Sequence, residues 1–185
     1  NADFTMLVFN NQVFALTVGQ ATPTTEEGFI ASSAPFGVKE RPLNPIALAL
    51  LSQASFVARG YALDIEHLKN LLKEAILHKG FAFIDILQPC IVFHDTRPYF
   101  QKNIYKLDQI RDLTNSREAM ERAEEWDYCF DRDQKIPIGI FYKKERPLFK
   151  GLPAGKAGLP AGRQGNPWHT LNRKIDWQKT INDFR

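Results

Sequence analysis

SFVARGYALDIEHLKNLLKEAILHKGFAFIDILQPC, Ser55 to Cys90, is the stretch on which the fold turns. Ser55 to Arg59 is a short apolar strand that ends at Gly60. Asp64 is placed to cap a helix in which Ile65, Leu68, Leu71, Leu72, Ala75 and Ile76 recur at helical spacing, with Lys69, Lys73 and Glu74 outside. His78 and Lys79 suit the negative end of that helix, and Gly80 terminates it. Phe81 to Leu87 is a nearly continuous apolar run, the pattern of a parallel strand covered on both faces. Strand, helix and strand in this order imply an α/β fold: a mostly parallel sheet with helices on both faces.

Upstream, Thr5 to Phe9 reads as a buried strand that stops at Asn10-Asn11. The segment FNNQVFALTVGQATPTT, Phe9 to Thr25, then becomes polar and rich in threonine and glycine. Asparagine side chains and freed carbonyls are hard oxygen ligands suited to Mg²⁺, and Thr hydroxyls with loop N–H groups suit phosphate oxygens. An ordinary strand followed by an Asn turn is the plain alternative. Val18 to Leu43 carries no period and is long for a loop inside a domain. Asn44-Pro45 opens a helix in the favoured order, and Ile46 to Leu51 make it apolar nearly all round, so it is expected to be buried.

Downstream, Ser116 to Trp126 (SREAMERAEEW) is an amphipathic helix with a Ser cap, and Ile136 to Tyr142 is a last short strand. Three regions follow: a domain over 1–150, a low-complexity insertion over 151–165, and a tail over 166–185. The tandem LPAGKAG and LPAGRQG of Leu152 to Gly165 holds neither helix nor strand and reads as disordered. Trp168 and Trp177 give the tail something to dock with.

The 185 residues, 44% of them hydrophobic, can bury one good core. A net charge of +3 with scattered basic residues argues against nucleic acid. Apolar runs fall well short of membrane-spanning length, and no signal segment opens the chain. Cys90 and Cys129 have neither CxxC nor CxxH company, which fits a reducing cytoplasm. An apolar strand almost at Asn1 suggests that an upstream half is missing.

In open parallel sheets, ligands bind beyond the carboxyl ends of the strands. Asn10-Asn11 follows one such end and Gln88-Pro89-Cys90 another, so parallel strands would bring both to one rim. A lone cysteine after a buried strand is more often a small apolar filler than a ligand. A nucleophilic Cys90 would need His94, which nothing in the sequence orients. His67 and His78 read as solvated on an exposed helix face, Glu26-Glu27 and Glu124-Glu125 as solvated charge, and Arg59 has no evident role.

Five blocks in order, NNQVFALTVGQATPTT, NPIALALLSQASFVARG, HKGFAFIDILQPC, REAMERAEEW and IPIGIFY, resemble the beta subunit of 2-oxoacid:ferredoxin oxidoreductases over roughly residues 1 to 150. The resemblance implies the C-terminal part of a thiamine diphosphate-binding domain. It also implies a cytoplasmic enzyme that oxidatively decarboxylates a 2-oxoacid, pyruvate or 2-oxoglutarate, with coenzyme A taking the acyl group and ferredoxin the electrons. The implied cofactors are thiamine diphosphate, Mg²⁺ and a [4Fe-4S] cluster, and the implied partner is an alpha subunit. By the same resemblance, the Asn11 side chain and the Val13 carbonyl coordinate Mg²⁺, while Leu16 and Thr17 lie along the cofactor. Cys90 becomes the fourth ligand of the cluster. The Asp of the magnesium motif and the three other cysteines belong upstream of Asn1, and Cys129 stays an ordinary cysteine.

Three departures stand out. The family's GLTKGQ is here Ala15-Leu16-Thr17-Val18-Gly19-Gln20, and Phe14 replaces the usual Tyr. Val18 for Lys removes a partner for a substrate carboxylate and leaves the 2-oxoacid undecided. Two rivals remain: a non-redox thiamine diphosphate-dependent 2-oxoacid decarboxylase, which has no use for a cysteine at LQPC, and an inactive truncated subunit that only assembles.

Overall fold

The computed structural model describes residues 1–108, 112–130 and 134–148. The expected insertion over 151–165 and the tail lie outside the described residues. β1 (Phe4–Asn10) leads to two-residue strands β2 (Val13–Phe14) and β3 (Gln20–Ala21), which pair antiparallel. Then come α1 (Pro45–Leu51), β4 (Phe56–Tyr61), α2 (Ile65–Leu77), β5 (Phe81–Leu87), α3 (Arg97–Asn103), β6 (Ile104–Lys106), α4 (Ser116–Ala123) and β7 (Ile136–Lys143). The main sheet has the order β1-β5-β4-β7-β6. β1, β5 and β4 are mutually parallel; β7 runs antiparallel to β4, and β6 pairs parallel with β7.

Helices cover both faces, as expected. On one side α1 and α4 bury Ile46, Ala49, Ala119 and Ala123 against Val57, Phe83 and Phe141. On the other, α2 buries Leu71 and Ala75 against Phe56, Ala58, Ile84 and Ile86. Strands β4 and β5 are thus enclosed from both sides, which explains their unbroken apolar runs. No helix among the described residues is long and apolar enough to cross a membrane.

Several expectations are corrected. β1 is not a buried strand: among the described residues it is the sheet edge, paired only with β5, and Phe9 is 62% exposed. Its apolar residues have a sheet partner on one side and no described helix over much of either face. α1 is buried along one stripe only, since Leu48 and Leu51 face outward, while its Asn44 cap and leading Pro45 are as read. The cap of α4 is Asn115 rather than Ser116, its side chain accepting from the N–H groups of Arg117 and Glu118. That helix stops at Ala123, and Trp126 is fully buried beyond it. α3 and β6 have no counterpart in the periodicity, because RPYFQKN presents too few apolar positions to register.

His78 is also corrected from solvated to buried. Because α2 ends at Leu77, His78 turns inward, where its Nε2 lies 2.8 Å from Ser55 Oγ. That hydroxyl also lies within hydrogen-bond reach of the Phe81 carbonyl and of Asn1 Oδ1, either of which can accept from it. His67 is half-buried, with Nδ1 shielded from water. Burial holds the pKa of His78 below its ordinary value of 6.5, with the Lys143 ammonium adding to the effect. Protonation therefore favours the unfolded chain. The contribution of neutral His78 is complete above about pH 6.5 and is lost as pH falls through the lowered folded value. In the full-length protein, His78→Gln should flatten part of the fall in urea midpoint between about pH 7 and 5. Parallel wild-type and variant profiles would contradict this.

Candidate functional site at the carboxyl rim

β1 and β5 run parallel in a register that pairs Asn10 with Leu87, so both strands leave the sheet at the same edge. The Gln88 N–H donates to the Asn10 carbonyl at 3.0 Å and extends the pairing one step. The turn after β1 and the QPC loop after β5 are therefore neighbours. Two further contacts join them. A Cβ on Gly19 would stand 2.9 Å from the Phe93 ring, and Gly19 has φ +74, so only glycine suits this approach. His94 Nε2 lies 3.5 Å from Glu26 Oε1, its ring packed against Phe29 and Phe130.

The turn itself is built on buried polar groups. Asn10 Oδ1 accepts from the Gln12 N–H at 3.2 Å and from Thr24 Oγ1 at 2.8 Å. Asn11, half-buried, accepts the Val13 N–H through Oδ1 at 3.3 Å. Val13 is buried, and its pairing with Ala21 closes the base of the loop. Leu16 and Thr17 stand at the loop tip. Leu16 is 98% exposed, and Thr17 Oγ1 donates to Gln20 Oε1 at 2.7 Å. Val18 carries φ +69, a conformation costly for a β-branched side chain. Beside the turn lies an apolar cavity of about 510 Å³, lined by Met6, Val8, Phe83, Leu48, Asn11 and Phe14 among others.

Cys90 is half-buried and in no disulfide. Its N–H donates to the His94 carbonyl at 3.2 Å, and the His94 N–H returns a bond of 2.9 Å to the Cys90 carbonyl. This closes a small loop whose Ile91 and Val92 project outward. The structure thus orients His94 toward Glu26, not toward the thiol. Glu26 is not simply solvated, since its Oε2 also accepts the Phe130 N–H at 3.0 Å. Glu125 is likewise engaged, accepting from Tyr105 and Arg122, and burial with this carboxylate pushes the Tyr105 hydroxyl up to about 12.

The donor set decides what could be held here. Asn11 Oδ1 and the Val13 backbone lie within one tight turn and offer hard, neutral oxygens, which suit two corners of a Mg²⁺ shell. Among the described residues, no group of three or more His, Cys, Asp or Glu could hold a metal ion. A carboxylate for Mg²⁺ and further thiolates for a cluster would have to come from elsewhere.

Behind the rim sits the group whose role was not apparent from sequence. Arg59 and Asp85 face one another in register on β4 and β5, both fully buried, Nε to Oδ2 3.5 Å. Arg59 Nη2 donates to the Tyr128 hydroxyl at 2.8 Å, and that hydroxyl donates to Asp85 Oδ2 at 2.6 Å. Nη1 donates to the Pro137 carbonyl, and the guanidinium lies 5.1–5.2 Å from the ring centres of Tyr128, Trp126 and Phe141. Burial raises the Asp85 pKa, against the opposing pull of Arg59, and raises that of Tyr128 well above its usual value.

Comparison with known proteins agrees with this architecture. Residues 1–86 match the family described as thiamine pyrophosphate enzyme, C-terminal TPP binding domain. Residues 90–154 match the family described as the C-terminal region of the pyruvate ferredoxin oxidoreductase beta subunit. The chain is 42% identical to the 2-oxoacid:ferredoxin oxidoreductase subunit beta of Saccharolobus solfataricus, over 78% of this chain and 50% of the relative. It is also 42% identical to subunit beta of 2-oxoacid:ferredoxin oxidoreductase 1 from Aeropyrum pernix, over 77% and 47%. Across both matched regions the chain is similar to the beta subunits of 2-oxoacid:ferredoxin oxidoreductases. Its fold matches a 2-oxoglutarate:ferredoxin oxidoreductase from Magnetococcus marinus, solved with 2-oxoglutarate, coenzyme A and succinyl-CoA, at TM-score 0.71 and 28% identity. That match covers 78% of this chain and 48% of the other. The chain spans about half the length of these beta-subunit relatives.

A signal for the buried pair was present in the sequence. An Arg in FVARGY and an Asp in FAFIDIL are single charges inside otherwise apolar strands, and such charges seldom persist unless they meet. Removing Arg59 alone, as in Arg59→Ala, should cost about 3–5 kcal/mol by stranding Asp85. The double variant Arg59→Met/Asp85→Leu should recover much of that in denaturant unfolding of the full-length protein. A double variant no more stable than the single one would show that the stranded charge is not the cause.

Proposed function

We propose that this chain is the cofactor-facing part of a 2-oxoacid:ferredoxin oxidoreductase beta subunit, which converts a 2-oxoacid and coenzyme A to an acyl-CoA, CO₂ and reduced ferredoxin. The observation that carries this reading is the shared rim: the Asn10–Val13 turn and the Gln88–Cys90 loop are joined by the Gln88 to Asn10 bond and by the seating of Gly19 on Phe93. A diphosphate site and a thiolate ligand need that proximity if electrons are to pass between them.

In this reading Asn11 Oδ1 and the Val13 carbonyl hold Mg²⁺, and through it the diphosphate of thiamine diphosphate. Thr17 and Leu16 line the loop above, and the Cys90 thiolate occupies one corner of a [4Fe-4S] cluster. Thiamine diphosphate, where bound, supplies the electron sink for breaking the bond between the keto carbon and the carboxylate. The protein orients it, excludes water and keeps the cluster near. An alpha subunit supplies the other wall, which accounts for the outward apolar residues Phe14, Leu16, Val18 and Phe36, the last 94% exposed. Ferredoxin receives the electrons in the cytoplasm.

The test uses the full-length protein purified with its partner subunit. The wild-type complex should reduce ferredoxin only when 2-oxoacid and coenzyme A are both present. Asn11→Ala should weaken thiamine diphosphate and Mg²⁺ binding. Cys90→Ser should lower iron and sulfide content and suppress ferredoxin reduction. An iron-free wild-type complex that still releases CO₂ would favour the non-redox decarboxylase instead. Iron content and electron transfer unchanged in Cys90→Ser would remove Cys90 from the cluster.

A further inference from the structure

Gln12 sits between Asn11 and Val13, and its side chain points into the protein. It is 2% exposed and has φ +58, a left-handed backbone that a residue other than glycine seldom adopts. Its N–H donates to Asn10 Oδ1 at 3.2 Å, and its carbonyl accepts Thr25 Oγ1 at 2.5 Å. Its Nε2 donates to the Thr24 carbonyl at 2.7 Å and to the Tyr128 carbonyl at 3.1 Å. Tyr128 is itself left-handed, with φ +65, and fully buried, its hydroxyl fixed between Arg59 and Asp85. One amide group thus joins two residues of unfavourable backbone conformation, one beside the candidate metal oxygens and one on the buried ion pair.

We propose that Gln12 is a positioning residue for the metal-binding turn: its carboxamide, anchored on Tyr128 and Thr24, holds the left-handed turn that aims Asn11 Oδ1 and the Val13 carbonyl at a common cation. This rests on the assignment of those two oxygens to Mg²⁺ above. Gln12 touches neither metal nor substrate. It acts by fixing the peptide planes on either side of itself. Without the Nε2 bonds, φ relaxes toward the negative region, which rotates the Asn11–Gln12 peptide and separates the two oxygens. Such supporting groups typically contribute about 10- to 100-fold to metal affinity.

The test is Mn²⁺ binding, followed by electron paramagnetic resonance at saturating thiamine diphosphate, in the full-length protein with its partner subunit. Gln12→Met keeps the length of the side chain and removes the donor. It should weaken Mn²⁺ binding about 10-fold or more while iron content and circular dichroism stay at wild-type values. Gln12→Gly, which adopts φ +58 freely but lacks the amide, should be weakened too; wild-type affinity in Gln12→Gly would mean that backbone conformation alone matters and would overturn the proposal. So would a Gln12→Met complex that binds Mn²⁺ within about twofold of wild type. If Gln12→Met does not assemble, Thr25→Val decides. It removes the donor to the Gln12 carbonyl and should weaken Mn²⁺ about threefold, the loss of one neutral hydrogen bond, and an unchanged affinity there overturns the proposal. A wild-type complex that binds no Mn²⁺ overturns both this proposal and the magnesium assignment, an outcome distinct from wild-type binding with an indifferent Gln12.

Discussion

Burying a guanidinium and a carboxylate at the centre of a sheet is costly unless each finds its partner, and Arg59 with Asp85 sets the terms for the surrounding structure. The pair is adjacent in register across β4 and β5, so a slip of one residue would drive one charge into the apolar layer of α2 or α1. The guanidinium also donates to the Pro137 carbonyl and the Tyr128 hydroxyl and lies against three aromatic rings, while its Nε and Asp85 Oδ1 make no hydrogen bond. A segment with little regular structure, Glu124 to Phe130, is thereby fastened to the sheet. Trp126 and Tyr128 stack at 4.2 Å between ring centres and close the space around the charge. The interaction fits one register and one loop path.

The same anchor reaches the rim. Tyr128 presents its carbonyl to Gln12, Gln12 braces Thr24, and Thr24 with Asn10 shapes the turn in which Asn11 stands. On the other flank, Glu26 joins Phe130 to His94, and His94 closes the Cys90 loop. Two loops far apart in sequence are thus held by a third, and each draws its rigidity from the buried pair. These supports lie beneath an outward-facing, apolar loop tip, where Leu16 is 98% exposed.

The outline was legible because its signals are local. An Asp cap, a helical period and an apolar run fix α2 and β5 without reference to the rest of the chain, and Asn44-Pro45 does the same for the start of α1. The double asparagine and LQPC blocks located the rim because they directly follow strands. What misled was exposure. Periodicity states which side chains are apolar and not whether anything covers them, so β1 read as buried and α1 as enclosed, although β1 is the sheet edge among the described residues and α1 is covered along one stripe only. His78 erred the other way: one residue past the end of α2 the chain turns, and a side chain assigned to a solvated face goes inside.

The sequence by itself determined the α/β class and the two loops that carry the candidate ligands, since strand, cap and turn preferences act over a few neighbouring residues. Only the tertiary structure decided that Arg59 meets Asp85, that Tyr128 and Gln12 share a hydrogen bond across 116 positions, and that Glu26 holds His94. Those pairings depend on where distant segments come together, and a polar residue does not reveal its partner until the backbone has folded around it. The fold is written in short-range patterns; the stiffness of the site comes from long-range contacts between groups that could not be left buried alone.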